Sequence, residues 1–344
     1  MKILRTRRLA ALAACATLAL GVAGTAAAVP ASARVGVTAA VAPPLDVASW
    51  GANGGQLGDG TTTSRSRYVD IGFGNNVVQV AAGWTPPSGH GLEARADGTV
   101  WAWGANSFGE LGDGTTTTRL APVQVPGLTG VTQVAGGCDH SLALRSDGTV
   151  WAWGDNSVGQ LGRGTITGVE VTAAPVNGLA GVTKISAGCE FSLALRSDGT
   201  VWAWGNNSAG QLGNGSTASS AVPVKITGVS QVTAIAAGWD SVVAVVAGGA
   251  SVWAWGANDS GQLGDGTLVG HAAPVRVTQI GTTHIAGAAV GYKYAAILGT
   301  DGSVWAWGAD TRGQLGNAPV ATPATPAGEH DRGRQRDHPD RRRR

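Results

Sequence analysis

The sequence is poor in charge and in most aromatic residues. Only 13% of its 344 residues are Asp, Glu, Lys or Arg, and it has three tyrosines, three phenylalanines and three cysteines. So few cysteines exclude a disulfide-dense scaffold, and packing must hold the fold. Apolar residues show no helical periodicity, which excludes a helical bundle. The formal charge of +2 is a product of the two ends: residues 1–33 carry +4 and residues 329–344 carry +3, which leaves −5 for residues 34–328. An acidic body lacks the basic footprint that nucleic acid requires, so no nucleic-acid partner is expected.

What the chain has instead is glycine and tryptophan, 55 and 13 residues. A composition this skewed points to a repeated motif. Trp-Ala-Trp-Gly begins at Trp101, Trp151, Trp202, Trp253 and Trp305, with spacings of 50, 51, 51 and 52. Ala48-Ser49-Trp50-Gly51 is a sixth, degenerate copy. A Gly-x-Leu-Gly turn follows each copy, from Gly55-Gln56-Leu57-Gly58 to Gly313-Gln314-Leu315-Gly316.

The N-terminus reads as an export signal. Lys2, Arg5, Arg7 and Arg8 precede an apolar run from Leu9 to about Ala23, and Ala31-Ser32-Ala33 is a small-residue cleavage site. Cleavage after Ala33 makes the mature protein secreted, with no membrane span, and removes Cys15. The apolar run continues past Cys15, where the acylation site of a lipoprotein would turn polar.

One repeat shows how a unit is built. Ser141 to Ser146 and Thr149 to Trp153 are β-like runs flanking Asp147-Gly148, a hairpin signal. A two-residue turn there sets Leu144 opposite Trp151 and Leu142 opposite Trp153. Leu142, Leu144, Trp151 and Trp153 then share one face, and Ala143 and Ala152 the other. Pro122–Val125 and Val131–Val134 add two strands around Pro126-Gly127. Four short strands per repeat fit the blade of a β-propeller, and stacking of bulky on flat faces would hold it.

The run Gly137-Cys138-Asp139-His140-Ser141-Leu142-Ala143-Leu144, then Asp147-Gly148, Trp153-Gly154 and Gly159-Gln160-Leu161-Gly162, resembles the regulator of chromosome condensation repeat. The resemblance covers about Val47 to Gly316. It implies an all-β propeller, commonly of seven blades, that presents a surface to protein partners. More distantly the chain is similar to secreted propellers of the β-lactamase inhibitory protein II type, whose repeats lack the Gly-Gln-Leu-Gly turn.

The Trp-strand occurs six times and the Ser-Leu-Ala-Leu-type strand five times, around Leu92, Leu142, Leu193, Val243 and Ala296. The expected architecture is therefore five complete four-stranded blades plus a partial sixth, in an incomplete ring. The expected organisation is a signal peptide (1–33), a linker (34–46), the propeller (47–317) and a Pro/Thr/Ala-rich then Arg-rich disordered tail (318–344).

Scaffold positions recur between repeats, whereas one loop does not. Its first position reads Trp84, Cys138, Cys189, Trp239 and Tyr292. Its second reads Asp139, Glu190, Asp240 and Lys293, and its third His140, Phe191, Ser241 and Tyr294, with His90 fitting after an insertion. Repetition sets these loops in a ring on one face. Trp84, Asp139, His140, Glu190, Phe191, Trp239, Asp240, Tyr292, Lys293 and Tyr294 are the candidate partner-binding residues. Cys138 and Cys189 hold equivalent positions and form either a disulfide between blades or two buried thiols. No His, Cys or carboxylate set has metal-ligand spacing, no nucleophile–base pair is found, and no phosphate loop is present. No catalytic residue, metal or cofactor is expected. The Asn/Asp column after each Trp-strand reads as turn caps, and the Gln column as satisfying loop backbone groups.

Three functions compete. The first is a non-catalytic secreted propeller that binds an extracellular or cell-surface protein, including as an enzyme inhibitor. The second, implied by the family, is guanine-nucleotide exchange on a small GTPase. The third is a cell-surface carbohydrate-binding module that stacks sugars on Trp84 and Trp239.

Overall fold

The computed structural model describes residues 47–71, 76–85, 88–249, 251–278, 280, 284–316 and 326–328. The expected export signal, the linker up to residue 46 and most of the expected tail lie outside the described residues.

Five antiparallel four-stranded sheets follow one another along the chain, each with its strands in sequence order. They span Val77–Gln124, Val131–Pro175, Val182–Lys225, Val232–Arg276 and Ile285–Gly328, here blades one to five. First strands of successive blades lie beside each other, so they form the inner layer around the axis. This is an all-β, five-bladed propeller. Ala48–Gly51 and Arg65–Asp70 form a separate two-stranded sheet ahead of blade one. Ala327–Gly328, within the segment read as tail, pairs with Ala306 and Trp305 as the outer strand of blade five.

The hairpin register differs from the sequence expectation by one residue. The Gly148 N–H bonds to Arg145 O at 2.9 Å, and Arg145 N–H to Thr149 O at 3.0 Å. The turn therefore has three residues, Ser146 to Gly148, with Gly148 at φ +79°. Leu142 stands opposite Ala152, Leu144 opposite Val150, and Ala143 opposite Trp151. A one-residue slip exchanges faces. The leucines and the tryptophans thus lie on opposite faces rather than together.

That arrangement explains the junctions. The leucine face of one blade packs on the tryptophan face of the next. Leu92, Val100 and Ala102 of blade one meet Val134, Ala143 and Trp153 of blade two. Leu142, Leu144 and Val150 of blade two meet Ile185, Ala194 and Trp204 of blade three. The same arrangement recurs toward Trp255 and Trp307. Burying one tryptophan contributes about 4–6 kcal/mol of transfer free energy as an upper bound.

The indole N–H of each buried tryptophan is satisfied across the junction. Trp153 Nε1 donates to Glu110 O at 2.7 Å, Trp204 to Gln160 O at 2.8 Å, and Trp255 to Gln211 O at 2.9 Å. The acceptor lies in the Gly-x-Leu-Gly loop of the preceding repeat. A Cβ on Gly112 would sit 2.8 Å from the Trp153 ring, and its φ is +65°. Glycine is required there on both counts.

The other tryptophan of each motif is half-buried near the opposite edge. The Arg95, Arg145 and Arg196 guanidiniums lie 4.2, 5.7 and 5.7 Å from the Trp101, Trp151 and Trp202 ring centres.

The polar columns hold the loops. Asn106 Oδ1 accepts from Leu111 N at 2.9 Å, while its Nδ2 donates to Thr115 O and Thr117 O at 3.0 and 3.1 Å. Gln160, Gln211 and Gln262 accept from the backbone two residues earlier at 2.8–3.0 Å. The capping expected from sequence is what the side chains do.

Candidate functional site

The non-recurrent loops join the first and second strands of each blade, so they crowd at one end of the axis. A tight turn builds each one. Gly137 N donates to His140 O at 2.8 Å, and Gly188, Gly238 and Gly291 make the same bond to Phe191, Ser241 and Tyr294 at 2.8–2.9 Å. The turn folds the third-position side chain back beneath the loop. A Cβ on Gly137 would lie 2.2 Å from the His140 ring, and one on Gly188 1.9 Å from Phe191. Gly83, Gly137, Gly188 and Gly291 leave space for the rings of His90, His140, Phe191 and Tyr294.

The structure therefore divides the predicted residues. His140 and Phe191, expected at a binding surface, have no exposed area. They support the loops from below. Tyr294 is half-buried. Asp139, Trp239, Asp240 and Lys293 are half-buried at the rim, Glu190 is exposed, and Tyr292 is 47% exposed. Trp84 is the last residue but one of the first strand of blade one, and its side chain is outside the described residues.

Backbone bonds tie neighbouring loops into a belt. Cys138 N donates to Cys189 O at 3.0 Å, and Cys189 N to Trp239 O at 3.1 Å. The belt brings the Cα atoms of Cys138 and Cys189 to 4.4 Å, and their sulfurs form a disulfide. Of the two readings open from sequence, the cross-link between blades is the one present. Further round, Trp239 and Tyr292 meet edge to face with ring centres 5.3 Å apart. Lys293 Nζ is 5.6 Å from the Tyr292 ring centre and pairs with Asp259.

Charge is uneven around this belt. Glu190 accepts from Asn206 Nδ2 at 2.7 Å. Burial raises the Asp240 carboxyl above the usual range, the nearby Asp259 charge adds to this, and Lys293 opposes it. Asp240 Oδ1 is buried with no hydrogen-bond partner among the described residues. Lys293 holds Asp259 below its usual value through their hydrogen bond. Glu110 is buried one layer down and pushed up to about 7, first by burial and then by Asp139 and Asp155. Glu110 holds a position that is Gln in the other five repeats.

Sequence reasoning missed Asp259, Glu110 and Asp155. Each departs from its column at an otherwise regular scaffold position, and that departure was the available signal.

Beneath the loops, two buried histidines join the junctions. Ser141 Oγ donates to Glu110 O at 2.7 Å and lies 3.0 Å from His90 Nε2. Ser192 Oγ donates to Gln160 O at 2.9 Å and lies 2.9 Å from His140 Nε2. The hydroxyl proton is used on the carbonyl, so each Nε2 carries the proton and donates to the serine. Burial lowers His90 to about 3 and His140 to about 4. They are neutral packing groups near neutral pH.

The Asp-Gly-Thr turns are occupied by protein groups. Asp59 pairs with Arg65, Asp113 with Arg119 and Asp265 with His271. Among the described residues, no group of three or more His, Cys, Asp or Glu is placed to hold a metal ion. No described helix is long and apolar enough to cross a membrane.

The fold and this face define a class: a propeller of tryptophan-bearing, glycine-rich blades whose variable loops gather at one end of the axis. The family model described as "Regulator of chromosome condensation (RCC1) repeat" matches residues 97–144, 147–195, 198–245 and 250–298. The chain belongs to the RCC1 repeat family. It is 31% identical over 280 residues to the ultraviolet-B receptor UVR8 of Arabidopsis thaliana, covering 78% of this chain and 62% of that protein. It is 34% identical over 233 residues to the human E3 ubiquitin-protein ligase HERC2, covering 64% of this chain and 5% of that protein. The chain thus spans less than two thirds of either relative. Yeast RCC1 (Prp20), solved bound to Kap60, shares the fold with a TM-score of 0.73 at 22% identity, over 90% of this chain and 80% of that one.

Proposed function

We propose that the chain is an exported, non-catalytic binding propeller that holds an extracellular or cell-surface protein on its variable-loop face. The observation that carries this reading is the Trp239–Tyr292 pair. Two large aromatics from adjacent blades stand edge to face at a partly exposed rim. Such rigid aromatic area, flanked by charge, is the usual composition of an energetic interface centre. Asp240 offers a buried acceptor beside it, and Asp139 and Glu190 extend the acidic arc. The arc favours a partner that contributes basic or N–H-rich groups. Inhibition of an enzyme is one form such binding takes.

Capture from proteins secreted by the source cells, compared between the chain and its Trp239→Ala/Tyr292→Ala variant, tests this. Loss of one partner in the variant, with its direct binding weakened at least about a hundredfold, is the expected outcome. A partner held equally by both proteins would sink the reading. Glycan binding lost in the same variant would replace it with the carbohydrate-module reading. Family membership favours one further reading, guanine-nucleotide exchange, and faster nucleotide release from a small GTPase is its test.

A further inference from the structure

Each junction has two parts drawn from different repeats. One is the second tryptophan of the Trp-strand. The other is the Gly-x-Leu-Gly loop of the repeat before it. Trp103 meets Gln56 O, Trp153 Glu110 O, Trp204 Gln160 O, Trp255 Gln211 O and Trp307 Gln262 O, all at 2.7–3.0 Å. Six Trp-strands and six loops make five such pairs, so one member of each kind is left over.

The leftover tryptophan is Trp50. Its strand has the register of the others: Ser49 faces Val69 and Gly51 faces Arg65, as Ala102 faces Val123 and Gly104 faces Arg119. Yet Trp50 is 46% exposed, whereas its five counterparts are buried. The leftover loop is Gly313–Gly316. It is formed like the rest, with Arg312 N on Gln314 Oε1 at 2.8 Å and Leu315 N on Asp310 Oδ1 at 3.0 Å. At the last glycine of the other five loops, a Cβ would strike a tryptophan ring at 2.7–2.8 Å. At Gly316, no described residue comes within 4 Å of that point.

The neighbouring faces are uncovered in the same sense. Val80 of blade one is 46% exposed where Val134 and Ile185 are buried. Leu298 and Val304 of blade five are half-buried where Leu144 and Val150 are buried.

We propose that Trp50 of one copy of this chain docks on the Gly313–Gly316 loop of a second copy, head to tail. The two halves are complementary by the same geometry that closes five junctions inside the chain, and among the described residues no tryptophan fills the Gly316 position. Such a contact is heterologous: each addition leaves one tryptophan and one loop open, so assemblies grow with concentration. The contact is independent of the variable-loop face.

Sedimentation velocity of the full chain across a wide concentration range tests the proposal. The expected result is association that weakens at least about tenfold in Trp50→Ala and in Leu315→Arg. Mixing the two variants should restore a one-to-one pair, since each keeps one good half. Trp50 is exposed, so its variant should fold, with unchanged near-ultraviolet circular dichroism as the check. Should Leu315→Arg disturb its loop, hydrogen exchange at Gly313–Gly316 replaces it. Those amides should slow with concentration in the unaltered chain and not in Trp50→Ala. A monomer at every concentration, association indifferent to Trp50→Ala, or a symmetric dimer that stops at two copies would overturn the proposal.

Discussion

Trp153 and Trp50 hold the same place in their repeats. Trp153 is enclosed by the leucine face of blade one and donates to a carbonyl in the preceding loop. Trp50 has the same strand and register but is 46% exposed. The difference teaches that a repeat does not bury its own tryptophan. Burial is a property of the junction, and Trp50 has none among the described residues.

That comparison is open to measurement. The largest effect is expected at the closed junction. Trp153→Ala should cost about 3–5 kcal/mol in denaturant unfolding, from lost packing and the lost indole hydrogen bond, while Glu110 O keeps its bond from Ser141 Oγ. Trp50→Ala should cost less than about 1 kcal/mol in the monomer. Equal losses would mean that Trp50 is buried in solution.

Next is the disulfide between blades two and three. Cys138→Ser or Cys189→Ser should destabilise by about 2–4 kcal/mol, read as a lower midpoint under oxidising conditions and no change between the forms in reductant. Because the link joins two neighbouring loops, the loss should appear as faster hydrogen exchange at that junction.

Acid should act on the same part of the molecule. His90 and His140 are depressed to about 3 and 4, so the unfolded chain binds protons that the folded chain refuses. Their stability is present above the unfolded value near 6.5 and is lost as pH falls toward about 4 for His140 and about 3 for His90. The loss is on the order of 3 kcal/mol for each histidine. Exchange should rise first at the junctions of blades one to three, which these histidines join. A uniform response across all five blades would count against this account.

Glu110 should give a smaller effect than the histidines, with the opposite sign. Its carboxyl is raised to about 7, so its contribution is full below about 4.5 and is lost as pH rises through 7. Glu110→Gln, the residue of the other repeats, should stabilise by roughly 1–3 kcal/mol at pH 8 and by little at pH 4. Urea midpoints at the two pH values would show it.

Much of the fold was legible because the repeats annotate one another. Six Trp-strands, five complete blades and the capping columns could be read from spacing. The strand faces could not. Asp147-Gly148 signals a hairpin but does not say whether its loop has two residues or three, and that one residue decides which face the tryptophans occupy. The site was legible by contrast, since the loop that varied was the loop at the rim. Its depth was not. His140 and Phe191 look like surface residues in sequence, but the turn at Gly137 and Gly188 folds them underneath. Cysteine pairing depended on the belt of backbone bonds that brings equivalent loops together, which no spacing within one repeat encodes.

The bond from each indole to the loop before it runs one way along the chain. Every repeat carries one hook on its Trp-strand and one eye in its loop, and each of the five matched hooks reaches backward. Duplicating a repeat inserts one of each, so the number left unmatched does not change. Nothing in a single repeat therefore counts its neighbours. The array can lengthen or shorten by whole units without a new kind of contact, and blade number is free to drift until the circle itself imposes a limit.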